Sequence, residues 1–170
     1  VGVRYLWTSC VIDGIVYAYR QGDGHIYIIG DFTLRDKEGG TTTVWENSYL
    51  QLKIQTAVPT FLNMEGQMGV FRADNRLGFW DSDNSIAWSS ALDKLDFKPD
   101  VTTYAGSTMY SEVAGVITKV VEHGKGFIIY ASRTIVHCQA LANSPEKWAG
   151  AAVIGNSGVQ YDTQIAVGHP

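Results

Sequence analysis

The stretch Trp80–Trp88 has the most regular spacing of side chains that could do chemistry in this sequence. Asp81, Asp83 and Ser85 alternate as the oxygen ligands of a calcium-binding loop do. An EF-hand loop also needs glycine where Ile86 stands, and an acidic residue six positions further on, where the sequence has leucine. Both requirements are unmet, so the spacing predicts a polar turn and not a calcium site.

Acidic residues and histidines are the next candidates for catalysis or metal binding. Glycoside hydrolysis needs two carboxylates that face each other across a cleft, and the sequence supplies candidates without pairing any two of them. The histidines lack the spacing of metal ligands, and no nucleophile elbow, P-loop or dinucleotide fingerprint occurs. The sequence therefore predicts no enzyme, no catalytic residue, no metal and no cofactor. The residues considered are Asp81, Asp83, Asp93, Asp96, Glu112, His25, His123, His137 and His169.

Aromatic side chains could form a platform on which sugar rings stack. Packing in a core is the commoner use of aromatic residues on strands, and both interpretations remain open from the sequence. The candidates are Trp80, Trp88, Tyr104, Tyr110 and Trp148.

The composition favours an all-β chain with many turns. The 170 residues are 45% hydrophobic and 12% aromatic, with 18 glycines and 4 prolines. A net charge of −4 argues against a strong nucleic-acid-binding surface. Cys10 and Cys138 are too few to form a disulfide framework. No run of about 18 apolar residues occurs, so the sequence predicts no membrane span.

The segment Ile117–Val136 is the clearest strand pattern in the sequence. Its apolar runs are rich in β-branched and aromatic residues, and short glycine-containing or polar breaks separate them, which is typical of an antiparallel meander. Such a unit cannot bury both of its faces alone and must pack against similar units. The runs are Ile117–Val121, Gly126–Ala131 and Thr134–His137.

Turn signals and alternation place further strands along the chain. Asp13-Gly14 predicts a type I′ hairpin turn, and strict alternation predicts that Leu50, Leu52 and Ile54 face a core. The other expectations are strands at His25–Ile29, Thr41–Trp45, Met68–Arg72, Arg76–Trp80, Ser85–Ser89, Ala151–Ile154 and Gln164–Val167, a three-residue loop Ala73-Asp74-Asn75, a long loop Ala91–Ser111 that is favoured over one helical turn at Ala91–Phe97, and a helix start at Ser144–Lys147.

These strands group into sets of roughly 45 to 50 residues, about the length of one four-stranded propeller blade. The sequence thus predicts a single all-β region over residues 1–170, with antiparallel meanders near 5–55, 60–90 and 116–167. The fold would be a β-propeller or part of one, with a β-sandwich as the alternative. Because Val1 is not an initiator methionine, we expect a processed chain or a piece of a longer propeller protein.

The second half of the sequence, Val70–Val167, resembles the β-propeller virion proteins of tailed bacteriophages, including tail nozzle and hub proteins. The shared features are packing and turn motifs in a fixed order. In this sequence they are Ala87-Trp88-Ser89, Asp96-Phe97, Gly115–Val120, Phe127–Tyr130 and Ser132–Ile135.

The resemblance implies a structural tail component, located in the virion and made in the host cytoplasm. It would act by assembling into a homo-oligomeric ring that conducts DNA, with other virion and tail proteins as partners and at most transient contact with DNA. We expect the subunit interface in the long loop, at Tyr104, Met109 and Tyr110, because a bare solvated loop would not need these side chains. The alternatives are a loop folded over its own sheet, a carbohydrate-binding or carbohydrate-cleaving β domain of a phage receptor-binding protein, and an interaction propeller outside phages.

Overall fold

The computed structural model describes residues 6–35, 38, 41–42, 49–141 and 147–158. Within them the chain forms three four-stranded antiparallel sheets, and in each sheet the strands lie in the order in which they follow in the sequence. The prediction of all-β, four-stranded antiparallel meanders is therefore confirmed. The first sheet contains β1 (Trp7–Ile12), β2 (Ile15–Arg20), β3 (Ile26–Arg35) and β4 (Tyr49–Ala57); the second contains β5 (Gln67–Ala73), β6 (Arg76–Asp81), β7 (Ser85–Trp88) and β8 (Gly106–Met109); the third contains β9 (Ile117–His123), β10 (Gly126–Ala131), β11 (Ile135–Gln139) and β12 (Gly150–Gly155).

Two-residue turns join the first two strands of the first and second sheets. Asp13 and Gly14 both have positive φ, 51° and 77°, as a type I′ turn requires. Asp74 and Asn75 have φ of 43° and 60°, and Ala73 pairs directly with Arg76. The expected three-residue loop is therefore a two-residue turn, because Ala73 belongs to the ladder.

The sheets stack face to face in chain order, with their first strands next to one another. Strand β5 contacts β1 on one side and β9 on the other. Backbone ladders join strands only within each sheet, so the described part of the chain is an open stack. This arrangement is consistent with part of a propeller and with a sandwich.

Two hydrophobic cores fill the spaces between the sheets. The first core lies between the first and second sheets and includes Tyr19, Ile26 and Phe79. The second core lies between the second and third sheets and includes Phe71, Trp88, Phe127 and Trp148. Each core is closed by side chains that project from facing sheets, which is what alternation along the strands predicts.

Glycines under aromatic rings allow the second sheet to pack closely. Gly69 pairs across the ladder with Trp80, and Gly78 pairs with Phe71. A Cβ atom added at Gly78 would lie 2.3 Å from Cζ of Phe71, and one at Gly69 would lie 2.2 Å from Cη2 of Trp80. The rings therefore occupy the space that a side chain would need.

The structure corrects several local predictions. The long loop predicted at Ala91–Ser111 contains β8, which pairs with β7 and extends the second sheet beyond the predicted boundary at residue 90. The segment Ala91–Phe97 forms no helical turn, in agreement with the choice of a loop there. Strand β8 was missed because its sequence, Gly-Ser-Thr-Met, offers no apolar alternation.

The prediction that Leu52 and Ile54 face a core is wrong. Their side chains are 49% and 61% exposed, because β4 is the last strand of the first sheet and its apolar side points away from the second sheet. The side chain of Leu50 lies outside the described residues. Three other predicted elements also lie wholly or mostly outside the described residues. They are the strand Thr41–Trp45 beyond its first two residues, the helix start Ser144–Lys147 before its last residue, and the strand Gln164–Val167.

Candidate functional site

The loop between β7 and β8 is fastened to its own sheet. Arg76 is buried, and its Nη1 donates hydrogen bonds to the carbonyl oxygens of Ser89 at 2.8 Å and Thr103 at 2.7 Å. The indole Nε1 of Trp88 donates to the carbonyl oxygen of Tyr104 at 2.7 Å. Burial lowers the pKa of Arg76, although nearby Asp74 partly offsets this effect. Arg76 and Trp88 therefore fold the loop back over the second sheet.

The three residues predicted for a subunit interface lie in different environments. Tyr110 is only 8% exposed, and its hydroxyl donates a 2.8 Å hydrogen bond to the carbonyl oxygen of Trp148. It belongs to the core between the second and third sheets, so its side chain is occupied within the chain. Tyr104 and Met109 are exposed. Of the predicted set, these two remain at the surface.

The aromatic residues considered for sugar stacking are mostly core residues. Trp80, Trp88 and Trp148 are all buried. Trp148 makes edge contacts with Trp88 at 5.2 Å and with Phe127 at 5.4 Å between ring centroids, and its Nε1 donates to the carbonyl oxygen of Lys125. A stacking platform built from the three tryptophans is therefore wrong, since none presents its ring to solvent.

The polar turn after Trp80 acts as a structural cap. Oδ1 of Asp81 accepts hydrogen bonds from the backbone N–H groups of Asp83 and Ser85, each at 2.9 Å. Asp96 and Asp93 likewise accept from backbone N–H groups of their own loop. These contacts are typical of carboxylates that stabilise turns. The described residues contain no cluster of three or more His, Cys, Asp or Glu side chains that could hold a metal ion.

Asn84, in the same turn, connects the second sheet to the third, which the sequence did not predict. Its Nδ2 donates to the carbonyl oxygen of Gly115 at 2.7 Å, and its Oδ1 accepts from the N–H of Ile117 at 3.0 Å. Both partners lie at the start of the third sheet. Asn84 has φ of 66°, and asparagine tolerates this conformation better than most residues. Asparagine in a turn often has positive φ, which is a weak sequence signal for the position of Asn84. No local signal in the sequence identifies its two partners, Gly115 and Ile117.

The two cysteines are kept protonated by burial, and two histidines lie in contact with each other. Burial raises the pKa of both the Cys10 and the Cys138 thiol to about 12, against an ordinary value near 9. Both are therefore thiols at neutral pH and poor nucleophiles. His123 and His137 are in ring contact, with centroids 5.2 Å apart.

A groove of about 520 Å³ runs between the first strands of the three sheets. Its lining comes from residues 7–11, 70–72 and 118–122, together with Trp80. Arg72 crosses it, with Nε 3.1 Å from both carboxylate oxygens of Glu122 and Nη1 3.2 Å from the carbonyl oxygen of Val11. This ion pair links the three first strands and neutralises charge within the groove.

The largest unexplained feature is an open apolar face of the first sheet. A row of directly paired residues crosses all four strands on this face: Val11, Val16, Ile29 and Ile54. Val11 and Ile54, at its two ends, are exposed, and Leu52 on the same side of β4 is exposed as well. Within the described residues no sheet packs on this row. Exposed apolar patches of this kind mark interaction surfaces.

Comparison with protein-family models, with curated proteins and with solved structures finds no match to this chain. Among the described residues, no helix has the length and apolar character needed to span a membrane.

Proposed function

We propose that this chain is a non-enzymatic structural protein that works by assembly, as a component of a bacteriophage tail of the nozzle, hub or tube-associated type. The observation that carries the proposal is the apolar row of the first sheet, whose end residues Val11 and Ile54 are exposed and whose middle residues Val16 and Ile29 are half-buried. A row that crosses four strands is costly to leave in water, and covering it with another protein surface gains free energy in proportion to the area buried.

The mechanism is geometric. The stacked sheets form a rigid body because their cores are filled and because Asn84, Arg72 and Arg76 tie neighbouring segments together. Such a body presents fixed faces to its neighbours in a symmetric assembly. A net charge of −4 suits a component that DNA passes without being held.

The tail assignment rests on the resemblance of Val70–Val167 to propeller virion proteins. In support of a structural role, Trp80, Trp88 and Trp148 are buried, and Asp81 and Asp93 accept hydrogen bonds from the backbone of their own turns. Burial of these three tryptophans counts against the carbohydrate-binding alternative, for which Trp7, Phe61 and Tyr104 are the exposed aromatic residues among those described.

Two measurements test the proposal. Mass spectrometry of tails purified from phage particles of the encoding virus should detect the chain at a fixed stoichiometry. Tryptophan fluorescence with a panel of bacterial polysaccharides should show no saturable quenching. Absence of the chain from the tails would refute the virion assignment, and saturable quenching by one polysaccharide would favour the carbohydrate-binding function.

A further inference from the structure

We propose that His123 and His137 form a two-histidine binding site for a divalent transition-metal ion such as Zn²⁺. The site lies on the face of the third sheet that points away from the second sheet. This inference goes beyond the proposed structural role and rests on the contact between the two imidazole rings.

Alternation along two strands brings the histidines to the same face. His137 lies between Val136 and Cys138 on β11, and both of these neighbours are buried in the core shared with the second sheet. The ring of His137 therefore projects from the opposite face. His123 ends β9 three positions after Val120, which belongs to the same core, so the ring of His123 also projects from that opposite face.

The two rings meet across the strand that separates them. Strand β10 lies between β9 and β11, and its residue Gly126, which pairs with His123, has no side chain to separate the rings at that position. The ring centroids are 5.2 Å apart, and the ring planes are at 81°. Ligand spacing in the sequence could not reveal this contact, because it depends on the pairing of three strands.

The spacing of the rings suits a shared tetrahedral ion. A Zn–N bond of about 2.0 to 2.1 Å places the ion about 3.2 Å from the centroid of each imidazole ring. Two rings at the tetrahedral angle of about 109° then have centroids about 5.2 Å apart, which is the distance observed. Bonds at right angles, as in square-planar geometry, would bring the centroids to about 4.5 Å. To bind the ion, each ring turns about its own side-chain bonds until one nitrogen points at it.

The imidazole nitrogens are available for this role. Within the described part of the chain, neither ring forms a hydrogen bond or an ion pair, and each contacts the other. His123 is exposed and His137 is half-buried, so a hydrated ion can reach both. Imidazole suits zinc, nickel and copper as a ligand. Two histidines leave two positions of a tetrahedral ion for water or another exchangeable ligand.

Isothermal titration calorimetry of the untagged chain with zinc chloride measures the affinity of the site, and one ion should bind per folded chain. His123→Gln and His137→Gln should each weaken binding by at least about tenfold. Even the loss of a group that only orients a metal ligand typically lowers metal affinity by about 10- to 100-fold. His123 is exposed, so His123→Gln should fold as the unmodified chain does, and circular dichroism checks the fold of each variant.

His25→Gln is the matched control. His25 also makes an edge contact with an aromatic ring, that of Tyr27, but among the described residues it contacts no second histidine. His169→Gln is a second control, because His169 lies outside the described residues. Both controls should bind zinc as the unmodified chain does.

Nuclear magnetic resonance of the imidazole rings identifies the ligands directly. Zinc should change the nitrogen-15 shift of one ring nitrogen in His123 and of one in His137, and should leave His25 unchanged. Absence of these changes, or an affinity that both His123→Gln and His137→Gln retain, would overturn the inference and leave a ring contact only. Loss of binding in either control variant would also overturn it. The composition of purified tails decides the proposed function separately from any of these results.

Discussion

Replacing Asn84 should weaken the contact between the second and third sheets. Its side chain makes two hydrogen bonds to the third sheet, to Gly115 at 2.7 Å and from Ile117 at 3.0 Å. A net contribution of about 0.5 to 1.5 kcal/mol for each bond gives a loss of about 1 to 3 kcal/mol for Asn84→Gly. Glycine accepts the φ of 66° at this position without strain. Asn84→Ala should lose about 1 kcal/mol more, since alanine does not.

Asn75 provides the matched control. It has a similar φ of 60° and is exposed, and its side chain makes one long contact of 3.4 Å with Asp13. Asn75→Gly therefore changes the entropy of the unfolded chain as Asn84→Gly does, but removes little from the folded state. Its effect on the free energy of unfolding should stay within about 0.5 kcal/mol.

Urea unfolding followed by tryptophan fluorescence measures both variants, because Trp88 and Trp148 lie between the second and third sheets. For a chain of this size, the expected loss for Asn84→Gly corresponds to a Tm lowered by about 2 to 12 °C. Equal stability of Asn84→Gly and Asn75→Gly would refute this reasoning. It would mean that the two hydrogen bonds of Asn84 add no net stability, because water replaces them equally well in the variant.

Three further predictions concern packing, pH and thiol reactivity. Gly78→Ala should lower the free energy of unfolding by about 1 to 3 kcal/mol in chemical denaturation, because the Phe71 ring occupies the space that the new Cβ needs. Gly24→Ala, with open space at its Cβ position, should leave the stability close to unchanged. Equal effects of the two substitutions would contradict the close packing at Gly78. Hydrogen bonds from Arg20, and secondarily from Tyr27, hold the pKa of Asp23 below its ordinary value. The Asp23→Asn variant should therefore be less stable than the unmodified chain at pH 7, and this difference in stability should vanish as the pH falls through the folded-state pKa of Asp23. A difference that persists unchanged at pH 2 would contradict this. Because burial raises the pKa of the Cys138 thiol to about 12 and its side chain has no exposed surface, Cys138 should react with a disulfide reagent at pH 7.5 more than about tenfold more slowly than a free thiol, and rapidly in urea; fast labelling of Cys138 in the folded protein would count against its burial.

The sheets could be predicted from sequence because local signals specify them. Alternating apolar residues and the Asp13-Gly14 turn define the first hairpin, and the segment Ile117–Val136 matches β9, β10 and the start of β11. Strand β8 could not be predicted in this way, since a short strand at the edge of a sheet needs no apolar alternation. Its position depends on the bonds that Arg76 makes to carbonyl groups 13 and 27 residues away.

The candidate surfaces were harder to predict than the fold, because alternation reveals that one side of a strand is apolar but not what covers it. Ile54 has the pattern of a core residue and is exposed, whereas Tyr110 was expected at an interface and is buried. Asn84 finds its partners more than 30 residues along the chain. Long-range contacts of this kind leave no local mark in the sequence.

The stacking order also determines where the molecule opens first. Of the three described sheets, the second alone has a neighbour on both faces, and the stability of a stacked array is governed by contacts between neighbours. Amide protons of β5 and β6 should therefore exchange most slowly with solvent, and those of β4 and β12 most rapidly, since local unfolding begins where few buried contacts oppose it.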